Sequence, residues 1–118
     1  MSIKFTSSGI EYTNNIDQYT ATTITTATTA ITINSKRFYL TANYTDPNAQ
    51  LSSSSSHQII VTNNKVQQYD TIVSNVLTNH PDVVVTVCNI ADDQFTINIM
   101  NNGSHITNNV DISFLVLT

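Results

Sequence analysis

Apolar and polar positions alternate most regularly near the end of the chain. In Gln94–Met100, Phe95, Ile97 and Ile99 fall on one face, and Thr96, Asn98 and Met100 on the other. A period of two marks a strand with one buried side. Shorter stretches of the same kind recur: Gln58–Thr62, Thr71–Leu77 and Val83–Ile90, with breaks at Asn63-Asn64, at Thr78–Asp82 and at Ala91-Asp92-Asp93. Earlier, Ile31 and Ile33 flank Thr32, and a turn at Asn34-Ser35-Lys36 leads into Arg37–Tyr44, so this pair reads as a hairpin. IKF and IEY, around Gly9, read as two short strands. No long stretch carries the i, i+3, i+4, i+7 apolar spacing of a helix. The pattern therefore predicts an all-β fold: an antiparallel β-sandwich, jelly-roll-like.

The segment Val110–Thr118, VDISFLVLT, departs from simple alternation. Val110, Ile112 and Phe114 form an inward set, with Asp111 and Ser113 outward. Leu115 and Leu117 then make the second face apolar as well. In a sandwich only one face of each sheet reaches the core. This strand is therefore either central and covered on both sides, or its second face meets another subunit. The subunit contact is the preferred reading, with Leu115, Val116 and Leu117 as interface residues.

Composition sharpens this. The chain has 118 residues, enough for one core. We expect residues 31–118 to form the sandwich, and residues 1–30 an extended N-terminal arm or edge strands. Thr20–Thr32 holds eight threonines in thirteen residues, which fits a low-complexity linker or, in its second half, a strand. Charged residues make up only 10% of the chain, against roughly 25% in average soluble proteins. In their place stand 19 Thr, 15 Asn and 12 Ser. Threonine suits a pleated, half-buried surface, and Asn and Ser suit turns. A surface so poor in charge is more at ease among neighbouring copies than alone.

The net charge is −4, with four basic residues, Lys4, Lys36, Arg37 and Lys65. Nucleic-acid binding calls for a basic face, so it is not expected. No apolar run reaches the roughly 20 residues of a membrane-spanning helix, and no membrane partner is expected. MSIKFTSSGI has no apolar stretch of the kind a secretion signal carries. The glycosylation triplets at Asn43 and Asn102 read as chance in a chain so rich in Asn, Ser and Thr.

Candidate chemistry is sparse. His57, His80 and His105 have no spacing that suits a zinc site, and all read as loop residues. Symmetry about an oligomer axis is the one way copies of a histidine would meet. Asp92-Asp93 reads as a turn, since calcium needs six to eight oxygens. Cys88 reads as a small buried hydrophobe. Two glycines, Gly9 and Gly103, do not make a phosphate-cradling loop, and no nucleophile-elbow pattern occurs. Tyr39 and Tyr44 read as cross-strand packing. Asn101–Ser104, NNGS, reads as a turn with positive φ. No cofactor or metal and no enzymatic activity are expected.

The segments VTNNKVQQYDTIVSNVL, VVVTVCNIADDQFTINIMNNG and VDISFLVLT, within Gln58–Thr118, resemble in layout the C-terminal β-sandwich units of phage and large-virus structural proteins, such as fibre heads and capsid decoration proteins. The H-type lectin sandwich has a broadly similar hairpin and final strand. The resemblance implies a virion protein, a decoration, fibre or tail component working as a homo-oligomer, most often a trimer, beside partners such as the major capsid protein. The alternative it leaves is a carbohydrate- or receptor-binding module, a lectin-like adhesin contacting a host-surface glycan. Its site would lie in the loops Asp46–His57 and Asn101–His105, with Asp46, Asn48, His57, Asn102 and His105 as contact residues.

Overall fold

A computed structural model describes residues 2–6, 9–13 and 20–117. Ten strands form, in the order β1 (Ser2–Thr6), β2 (Gly9–Thr13), β3 (Thr20–Ile24), β4 (Ala30–Thr32), β5 (Arg37–Asn43), β6 (Ser56–Thr62), β7 (Thr71–Val76), β8 (Val83–Ala91), β9 (Gln94–Asn101) and β10 (Asn109–Leu117). The described residues hold no helix. Strands β1 and β2 make a two-stranded antiparallel sheet of their own, with Ile3 opposite Tyr12 and Phe5 opposite Ile10.

The other eight strands form a β-sandwich. One sheet has the order β3-β5-β10-β7, the other β4-β6-β9-β8. Phe38, Leu40 and Ala42 of β5 and Val110, Ile112, Phe114 and Val116 of β10 face Ile59 and Val61 of β6 and Phe95, Ile97 and Ile99 of β9; all are buried. These are the central strands, so their alternation is the sharpest in the chain. Phe38 ties the layers together. It stacks on Phe114 at 4.9 Å and 12° in its own sheet, and meets Phe95 of the other sheet at 6.0 Å and 37°. Such aromatic pairs contribute about 0.5–1.5 kcal/mol beyond the area they bury.

The sheets are mixed rather than wholly antiparallel. Strand β3 runs parallel to β5, and β4 runs parallel to β6. The threonine-rich segment explains this: β3 takes the edge of one sheet, a turn at Thr25–Thr29 follows, and β4 continues on the edge of the other. Six strands form the antiparallel framework, β5-β10-β7 and β6-β9-β8, whereas a jelly roll needs eight.

The expected hairpin between Ile31–Ile33 and Arg37–Tyr44 does not form, because β4 and β5 lie in different sheets. The connecting residues plunge instead of turning on the surface. Ile33 and Ser35 are buried, and Ile33 N–H donates to Thr62 O. The carboxamide of buried Asn63 donates to Ser35 O at 2.6 Å, and the Ser35 hydroxyl donates to Arg37 O. Cys88 is exposed, not buried, because β8 is an edge strand and Cys88 lies on its outer side. Just beyond it, Asn89 takes φ 55° in a bulge that lies between the Cys88–Thr96 and Ala91–Gln94 pairs. Asparagine tolerates that left-handed conformation better than most residues.

Candidate functional site

Two surfaces bear on function: the outer face of the β3-β5-β10-β7 sheet, and the loops at the ends of the sandwich. On the outer face, register sets Leu115 of β10 directly opposite Val73 of β7 and Arg37 of β5, with Leu117 one pleat further along. Val73, Leu115 and Leu117 are 47%, 42% and 47% exposed. They line up as an apolar strip, and a shallow depression runs beside it between Arg37, Asn75 and Ser113. Val116 does not belong to the strip. It faces the core, 3% exposed, because the pleat sends alternate residues to opposite sides. Asp111, on the same outer side, accepts a hydrogen bond from the Thr41 hydroxyl at 2.8 Å.

The loops expected to contact a receptor do come together. Leu51 and Ile106 pair as an isolated bridge, both buried. The Asn101 carboxamide, buried between the loops, donates to Leu51 O and Ser52 O at 3.2 Å and to Ser104 O at 2.8 Å. Its oxygen accepts from Gly103 N–H, while Gln50 and His105 bond side chain to side chain. The Asp46 carboxylate is engaged in a local turn, accepting from Asn48 N–H. The Asn102 amide is held by Asp82 O. Neither Asn102 nor Gly103 has positive φ; the glycine serves a close approach, since a Cβ there would sit 2.7 Å from the Asp82 Cβ.

His57 is not a loop residue. It lies in β6, 6% exposed, with Nε2 2.7 Å from Thr28 O and Nδ1 3.0 Å from the Tyr44 hydroxyl. A carbonyl only accepts, so Nε2 carries a proton, and an unprotonated Nδ1 accepts from the Tyr44 hydroxyl. Burial pushes the Tyr44 phenol well above its ordinary value of 10.0. The pair is a satisfied core network. A threonine-tract carbonyl as its third member is invisible in the sequence.

Between the loops lies a cavity of about 190 Å³, lined by His80, Asp82, Asn101, His105 and Asn108 among others. His80 and Asp82 are additions that no motif announced; they arrive because the β7–β8 connection folds against Asn102. The volume falls below the roughly 300–1,000 Å³ of ordinary ligand pockets. Among the described residues no three His, Cys, Asp or Glu side chains gather as a cation site. No helix among them is long and apolar enough to cross a membrane. No protein-family model matches the chain, and no curated protein or solved structure matches it either. The class that the fold defines is a mixed-sheet β-sandwich.

Proposed function

We propose that this protein is a non-enzymatic structural subunit that works in many copies, of the kind that decorates a virus particle or builds its fibres. The observation that carries the reading is the Val73–Leu115–Leu117 strip on the outer face of a sheet whose inner face already fills the core. The surface around it is mostly uncharged, with Thr71, Asn75 and Ser113 beside the opposite charges of Arg37 and Asp111, so copies approach with little charge repulsion.

Magnitudes limit how the strip works. Fully burying a Val or Leu side chain contributes about 1.5–3 kcal/mol, so three half-exposed ones on each of two facing copies add roughly 5–9 kcal/mol. Association costs at least about 4 kcal/mol in lost freedom of motion. The surplus is small, so the strip alone does not hold two free copies together at low concentration. It becomes effective where neighbours are already held side by side, as in a particle, because the second contact is then intramolecular.

Sedimentation velocity from micromolar to millimolar protein tests this. Wild type should self-associate as concentration rises. Leu115→Ser combined with Leu117→Ser should stay monomeric with the same thermal midpoint within a few degrees, since neither side chain is in the core. A wild type that is monomeric throughout the range refutes the reading.

A further inference from the structure

At the end of the sandwich away from the small cavity, the β6–β7 connection packs against the β8–β9 turn. The two are locked together through the backbone. Asn63 N–H donates to Asp93 O at 2.9 Å, Asp93 N–H donates to Val66 O at 2.9 Å, and Val66 is buried as a plug. The carboxylates of Asp70 and Asp92 are also engaged, accepting from Gln67 N–H at 2.8 Å and from Gln68 N–H at 2.9 Å. This scaffold holds an open recess of about 520 Å³, lined by Asn64, Val66, Gln67, Gln68, Tyr69, Asp92 and Asp93.

Tyr69 is 90% exposed, and its backbone sits at φ 74°. A left-handed conformation costs a side chain of this kind of order 1–3 kcal/mol, and glycine or asparagine would avoid most of it. A ring so exposed gains almost nothing from folding, so its own packing does not offset the cost. Around it the side chains of Asn64, Gln67, Gln68 and Asp93 make no hydrogen bond among the described residues. An exposed aromatic face on a constrained backbone, with free amides and a free carboxylate around a recess, forms a complementary set for a polyhydroxylated ring. Such a ring lays its C–H face on the tyrosine and its hydroxyls on the amides and carboxylate.

We propose that this recess binds a saccharide, with Tyr69 as the stacking platform and Gln67, Gln68 and Asp93 as hydrogen-bonding partners. Two carboxylates, Asp92 and Asp93, line it, with Asp70 and Lys65 on the β6–β7 connection. The balance disfavours sialylated or sulfated glycans and favours neutral or amino sugars. The proposal stands apart from self-association, because the recess is at a loop end and the apolar strip is on a sheet face.

The test is a broad array of defined glycans probed with the whole protein, followed by titration of the strongest hit against variants. Wild type should retain neutral or amino-sugar glycans. Tyr69→Phe should bind within a few-fold of wild type, keeping the ring face. Tyr69→Asn should lose at least tenfold in affinity, while its thermal midpoint stays level or rises because the backbone conformation now suits the residue. That opposite movement separates a binding residue from a structural one. Retention of no glycan, retention of sialylated or sulfated glycans alone, or unchanged binding by Tyr69→Asn would each overturn the proposal.

Discussion

Replacing Tyr44 with phenylalanine keeps the buried ring and removes one oxygen, and its effect should reverse sign with pH. Near neutral pH the variant leaves Nδ1 of His57 without its donor in a site that is 6% exposed. An unsatisfied buried acceptor costs about 1–2 kcal/mol, so wild type is the more stable protein. In alkali the balance shifts. The unfolded chain releases the phenol proton near the ordinary value of 10.0, whereas burial holds it in the folded state to well above that. Between the two values the unfolded state binds fewer protons than the folded state, so stability falls as pH rises. The loss approaches about 1.4 kcal/mol per pH unit, and Tyr44 is wholly buried, so solvent screening does not reduce it. The variant has no such phenol. Titrating groups out of contact with Tyr44 keep their surroundings in both proteins and drop out of the difference. The two stability curves should therefore cross at about pH 11, where the accumulated alkaline loss equals the neutral-pH cost. Guanidinium unfolding followed by circular dichroism, over a pH series, measures both curves. A difference that stays constant from neutral pH into alkali would show that the phenol is not held protonated by its surroundings.

Other substitutions probe how the loop end is held. Gly103→Ala should destabilise by about 1–3 kcal/mol in chemical denaturation, because the new methyl meets the Cβ of Asp82, which moves only with its backbone; adding Asp82→Gly should restore part of the loss. Asn101→Ala should cost roughly 2–3 kcal/mol, since one carboxamide serves three carbonyls and an amide between two loops. Hydrogen exchange should locate that loss: the Leu51 and Ile106 amides, which bond across the loops, should exchange faster in the variant, while the amides of β9 further along should be much less affected.

Strands with one dry face were legible in the sequence, because period-two alternation is a direct imprint of the pleat. In Gln94–Met100 and Val110–Phe114 the inward set read correctly, although Thr96, expected on the open face, is 5% exposed, and the exposed Leu115 and Leu117 stood out as departures from the alternation. What failed was pairing. The Asn34–Lys36 and Asn101–Ser104 turns look like hairpin turns locally, but each carries the chain from one sheet to the other. That choice is made by where Ile33 and Ile106 find burial, which a local pattern does not encode. The parallel edges β3 and β4 were hidden because threonine reads equally as linker and as strand. His57 was misplaced by one boundary: the serine run suggested a loop up to it, whereas β6 begins at Ser56. Tyr69 gave no signal at all, since neither its φ nor its exposure follows from being a tyrosine between polar residues.

The strand order also governs how the chain emerges during synthesis. From β3 to β10 the path passes between the two sheets at every link except the β8–β9 hairpin. The β4-β6-β9-β8 layer has all its members once Asn101 has left the ribosome, but the other layer does not: β5 and β7 are joined only through β10, which comes after it. Until Asn109–Leu117 is delivered, the greasy undersides of Phe38, Leu40 and Phe95 have no lid. A nascent chain in that condition depends on dilution or on a chaperone to avoid clumping, and a transcript cut short before Asn109 should yield insoluble product rather than a smaller working protein.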